Sequence, residues 1–220
     1  MAKALLSIEE EMAKEMETIK IAIKPNIKFR SISTKGRMFT ASDDSFTPGQ
    51  KLECIVLAYA YRNEYYTTAW SQGAGYIPPV CWAVGSKQND LAPSKSVEAP
   101  EHIKCEDCPQ NEYPQGGGGK ACKNTIKLAI IPPDFEEGDL PYLISFPPTS
   151  NTPFREYMES ISKAGMHYMQ AVTTISFDPK VAYAKPICTL GSKHARMKDI
   201  LPARERGKEW VMREPFIPED

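Results

Sequence analysis

Apolar residues recur at three- and four-residue steps near the N-terminus, where Leu5, Ile8, Met12 and Met16 are separated by Glu and Lys. That spacing predicts a short amphipathic helix over residues 1–18. From Ile19 to Phe29 the period changes to two, apolar positions alternating with Lys-bearing ones, as in a strand with one face inward. Pro25 makes it an edge or a broken strand. After the turn "SDDSFTPGQ", the run "KLECIVLAYAYRNEYY" is dense in branched and aromatic residues and predicts a strand. "TIKLAIIPP" and "LPYLISFPP" read as two shorter strands, each stopped by a proline pair. "SNTPFREYMESISKAG" has a helix's punctuation: Asn151 or Thr152 as cap, Pro153 in the first turn and Gly165 at the end. "HYMQAVTTISFDP" and "VAYAKPICTLG" predict two more strands, and residues 193–220 a basic tail, helical or coiled. The expected fold is mainly β (α+β). It is an OB-like barrel over 19–192 with an N-terminal helix, one internal helix and a loop insertion over 71–123.

That insertion changes the picture. A loop of this length is uncommon in a compact domain unless something staples it, and this one carries four of the six cysteines. Cys105 and Cys108 are two residues apart, a knuckle that can hold an ion, and Cys81 and Cys122 would complete a tetrahedral all-thiolate set. His102 is a spare ligand. The four-glycine tract lets the chain return to the ion at little steric cost. The expected cofactor is a structural zinc, with an iron–sulfur cluster as the minor alternative. Cys54 and Cys188, inside predicted strands, read as small core residues.

Charge and composition narrow the function. The chain has 220 residues, 41% hydrophobic and 25% charged, the profile of a soluble globular protein. There is no apolar run long enough for a membrane span and no apolar signal-peptide core, so a reducing compartment is expected. Net charge is −1, yet basic residues cluster: Lys20, Lys24, Lys28, Arg30, Lys35 and Arg37 stand together without an acid between Thr18 and Arg37. Seven more lie between Lys193 and Arg213, among Asp199, Glu205 and Glu209. Tyr59, Tyr61, Tyr65, Tyr66, Trp70, Tyr76 and Trp82 fall close together, with Arg62 among them. Tyr59 and Tyr61 share strand parity. Such rings either fill a core or offer stacking surfaces to unpaired bases. No P-loop, GxSxG, HExxH or dinucleotide motif is present, and three scattered histidines make no acid–base set. Enzyme activity is not expected.

The segments "IPPVCWAVGS", "KCEDCPQNEY", "GKACKNTIKLAIIPPD" and "LISFPPTSNTPFREYMESI" together resemble a family of tailed-bacteriophage proteins. Its pattern is P-x-C, then C-x-x-C-P-x-N, then G-K-A-C-K and a hydrophobic strand, and the resemblance spans residues 28–190. It marks Cys81, Cys105, Cys108 and Cys122 as the shared thiols, with Pro109, Asn111 and Lys120 beside them. After Asn111, "EYPQGGGG" departs from the family's shorter turn. The resemblance implies replication or recombination functions in the cytoplasm of an infected bacterium, alongside replication or recombination proteins. By analogy with phage proteins of the OB type, it implies non-catalytic binding of single-stranded DNA. Lys24, Lys28, Arg30, Lys35 and Arg37 would then track phosphates with Arg62, while Tyr59, Tyr61, Tyr65, Tyr66 and Trp70 stack on bases. The alternative is a protein-interaction role, as an assembly component or an inhibitor of a host enzyme.

Overall fold

The computed structural model describes residues 29–68, 77–194 and 196–215. The predicted N-terminal helix, the 19–29 strand up to Lys28, and Lys24, Lys28, Trp70 and Tyr76 lie outside them.

Strand β3 (Lys51–Tyr65) is the spine of the molecule. Its central residues are buried on both sides because both faces of the sheet are covered. Along one edge it pairs antiparallel with β5 (Lys123–Ile131), which pairs in turn with β6 (Tyr142–Phe146). The other edge is shared: residues 51–55 pair with β7 (Ala171–Phe177), and residues 61–65 with β4 (Cys81–Gly85). Strand β8 (Pro186–Lys193) extends the sheet beyond β7. The short β1 (Ser31–Ser33) and β2 (Thr40–Ala41) extend it beyond β6, β1 joining in parallel. The result is one curled sheet, a half-barrel, rather than a closed one.

A bulge between Val56 and Ala58 breaks the pairing register of β3. An extra residue on one strand shifts side-chain parity by one. Cys54 and Val56 before it, and Tyr59 and Tyr61 after it, therefore face the same side. Ile55, Leu57, Ala58 and Ala60 face the other. Each side is sealed by one helix. Helix α1 (Asn151–Lys163) lays Phe154, Tyr157 and Ile161 on the first face, the three- and four-residue spacing of one helical stripe. Full burial of Phe154 contributes about 2–3 kcal/mol. The Tyr157 hydroxyl meets the hydroxyl of buried Thr173 on β7.

Helix α2 (Leu201–Met212) covers the second face with Ala203, Gly207, Trp210 and Val211. It packs very close. A methyl group on Gly207 would lie 2.9 Å from Cβ of Ala129 on β5. This helix falls within the stretch expected to be a tail, so residues 201–212 belong to the core layer. Two further expectations are corrected. The insertion over 71–123 is not all loop, because β4 lies within it and completes the pairing of β3. The strand expected over 181–191 begins only at Pro186, because residues 181–185 turn back toward Asp178. Among the described residues, no helix is long and apolar enough to cross a membrane.

Candidate metal and nucleic-acid sites

The four expected thiols come from three places: Cys81 opens β4, Cys105 and Cys108 lie in the loop, and Cys122 immediately precedes β5. All four line a single cavity of about 20 Å³, together with Asn63, Tyr65 and His102. A volume of that order holds one water-sized species. None of the four is in a disulfide. The loop is wired by its backbone: Cys105 N–H donates to Leu91 C=O (3.0 Å), Asn111 N–H to Cys108 C=O (2.8 Å) and Cys122 N–H to Gln110 C=O (2.7 Å). The Asn111 amide donates to Cys105 C=O at 2.6 Å, which gives the asparagine after the knuckle a definite task.

Burial pushes the Cys122 thiol up to about 12, and the nearby Cys105, Cys108 and Cys81 push the same way. Cys81 and Cys105 are raised chiefly by burial as well. A dication would reverse this, because it favours the thiolates that burial and mutual repulsion oppose. Four thiols are the donor chemistry of a closed structural zinc site. The thiols share the cavity without closing on a common point: among the described residues, no three His, Cys, Asp or Glu side chains are gathered to ligand distance. His102 is exposed, and its Nδ1 stays beside the backbone of Lys104.

Of the four expected phosphate ligands among the described residues, three make contacts within the protein. Arg62 is buried at 3% exposure, pairs with Glu64 at 3.0 Å and donates to the carbonyls of Arg213 (2.7 Å) and Val211 (3.5 Å). It ties β3 to the end of α2, and its burial leaves no face open to a phosphate, contrary to the expectation. Arg30 holds Asp43 at 2.6 Å, donates to Leu140 C=O and the Tyr142 hydroxyl, and lies over the Tyr142 ring. Arg37 donates to the carbonyls of Val181 and Asp178. Both arginines are partly exposed and hold loops in place. Lys35 is exposed. In the C-terminal basic segment, Arg196 pairs with Asp199, and Arg204 and Lys208 with Glu205.

The aromatic residues divide. Trp82 is buried, and its indole N–H has no hydrogen-bond partner among the described residues. Tyr65 helps wall the thiol cavity, and the Tyr66 hydroxyl donates to Glu64 at 3.1 Å. Tyr59 and Tyr61 do more. They begin a row of rings along the rim of the α1-covered face: Tyr61 to Tyr59 is 5.8 Å, Tyr59 to Tyr168 is 5.5 Å, and Tyr168 to His167 is 4.1 Å. The three tyrosines are half-buried and His167 is exposed. Burial raises all three tyrosine hydroxyls and lowers His167. Arginine charge reaches both ends, Arg155 acting on Tyr61 and Arg204 on Tyr168 and His167. Tyr168 and His167 were not among the expected site residues. They sit in a 3-10 turn (Tyr168–Gln170), where His167 accepts from Met169 N–H and the Gln170 side chain accepts from His167 N–H.

No family model, no curated protein and no solved structure matches this chain.

Proposed function

We propose that this protein binds single-stranded DNA without catalysis, in the replication or recombination of a bacteriophage genome, with a structural zinc held by Cys81, Cys105, Cys108 and Cys122. The observation that carries the reading is the row Tyr61–Tyr59–Tyr168–His167, half-open and flanked by Arg155 and Arg204. Unpaired bases stack on such rings whatever their sequence, each contributing about 1–3 kcal/mol, and flanking arginines hold the backbone. A duplex keeps its bases stacked internally and has no use for the row. The long bulged strand that changes partners halfway is consistent with an OB-like barrel, the architecture expected from the resemblance. The zinc, once bound, would supply no chemistry; it would fix the loop that buttresses the far half of β3.

The test is retention on single-stranded DNA resin, eluted with salt. Wild type should be retained at low salt, and the double variant Tyr61→Leu/Tyr168→Leu should elute at clearly lower salt. Leucine keeps the apolar packing while removing the ring. Equal elution would remove the row from the proposal. A protein-interaction role rests on a different observation, the exposed Val80 and Ile103 (43% and 84%), each next in sequence to a residue of the thiol cavity. It predicts flow-through of the wild type at low salt.

A further inference from the structure

Cys122 lines a second cavity as well as the thiol cavity. This one is open and about 490 Å³, in the range of small-molecule sites. It is formed by the glycine tract, the first residues of β5 and the start of α1. Three cations line it, Lys120, Lys123 and Arg155, and none of its described lining residues is acidic. The cations are lightly held. Among the described residues, Lys123 Nζ donates only to Lys120 C=O (3.1 Å), and Lys120 Nζ only to Asn111 Oδ1 (3.4 Å), while it also lies over the Tyr113 ring at 5.1 Å. Arg155 has no ion pair or hydrogen bond among the described residues.

The surroundings favour an anion further. Helix α1 has no acid in its first turn, and with the 3-10 turn Pro148–Ser150 that leads into it, it brings an acid-free helix start to the cleft through Pro148, Thr149, Asn151 and Thr152. Gly118 adopts φ +105, a conformation that suits glycine, and this lets the backbone turn along the cleft without a side chain filling it. Tyr113, 73% exposed, stands at the same site with Lys120 over one side of its ring. Arg155 links the cleft to the aromatic row through its effect on Tyr61.

We propose that this cleft is a phosphate site, built to hold the phosphate groups of a nucleotide while Tyr113 offers a face to its base. The phosphates can belong to a DNA strand, which rests on the single-strand reading above, or to a free nucleotide, which does not. The cleft, rather than the arginines engaged in loops, would then be where the backbone is gripped.

The experiment compares metal-loaded full-length wild type with Lys123→Gln and Arg155→Gln, each checked for an unchanged melting temperature, in two binding arms. One arm uses labelled oligo-dT over a range of salt, the other dTTP by calorimetry. A strand in the cleft predicts roughly tenfold weaker oligo-dT binding for each variant, with the slope of log affinity against log salt reduced by about 0.7 per lost phosphate contact. A free-nucleotide site predicts dTTP binding by wild type that both variants weaken; oligo-dT binding left unaffected would keep the DNA reading on the aromatic row, and no oligo-dT binding would leave the cleft standing and overturn the DNA reading. Oligo-dT and dTTP binding unchanged in both variants would overturn the cleft and leave the aromatic row intact. Absence of binding to either probe by wild type would overturn the cleft and the DNA reading together.

Discussion

The two faces of the sheet are built from the same strands yet end differently. The face under α2 is closed: Gly207 lets the helix backbone approach Ala129, Trp210 and Val211 cover it, and Arg62 locks the helix end to β3. The face under α1 is sealed only in its middle. At its rim the rings of Tyr61, Tyr59 and Tyr168 remain half-exposed, and beyond Tyr61 lies the thiol-lined loop. The contrast teaches where to look for function. Tyr61 and Arg62 are neighbours on β3, and the side of the sheet, not residue type, separates the structural Arg62 from the available Tyr61.

The largest effect should come from the loop at the end of the open face. Cys108→Ser in zinc-loaded protein is expected to cost about 4 kcal/mol or more, because metal binding and loop folding are coupled. Calorimetric melting with metal analysis checks it, and a metal-replete variant with wild-type stability would remove Cys108 as a ligand. On the closed face, Gly207→Val should cost about 3 kcal/mol by forcing α2 off Ala129, with DNA affinity at low temperature unchanged. Loss of affinity in the folded variant would mean that the two faces are not separate in function.

Lys127 gives the closed face a pH signature. Burial, with the nearby Arg62, lowers it to about 8, while Glu64 works in the opposite direction. An unfolded lysine titrates at about 10.4, so below pH 8 the folded protein carries a half-buried charge that the unfolded chain holds more easily. That penalty fades as pH rises from 8 toward ~10.4. Lys127→Met should therefore stabilise the fold by about 1–2 kcal/mol at pH 7 and by much less at pH 10. Melts at the two pH values decide; an equal gain at both would assign the effect to packing instead. The smallest effect is on the open face, where Tyr61→Leu should weaken oligo-dT binding by ~1 kcal/mol with little change in melting temperature.

Local signals made part of this molecule legible. Pro153 and Gly165 bracket α1 because each suits one end of a helix, and Gly165 does take the left-handed φ of +66 just beyond it. Proline pairs stop β5 and β6 where expected. The cysteine spacing pointed to four thiols that the fold brings to one cavity. What escaped is non-local. "CWAVG" is too short and too surrounded by loop residues to read as a strand, and forms one because the far half of β3 offers an open edge. The basic tail reads as helix or coil, but the packing of α2 on the sheet is concealed by Pro202, Gly207 and its many charges; small residues such as Ala203 and Gly207 let it lie so near the sheet. Arg62 resembles a phosphate ligand until α2 is in place to receive its donors. Tyr168 and His167 join the row through a turn that "HYMQAVTTISFDP" disguises as the start of a strand. The basic cleft draws on segments from Tyr113 to Arg155, and nothing in their spacing brings them together.

The most direct measurement is a fluorescence-anisotropy titration of wild-type protein with labelled oligo-dT, from low to physiological salt, beside a duplex of equal length. A single-strand binder predicts saturable oligo-dT binding that clearly exceeds duplex binding and weakens steadily as salt rises. Equal affinity for both forms, or no binding to oligo-dT even at low salt, would contradict the account.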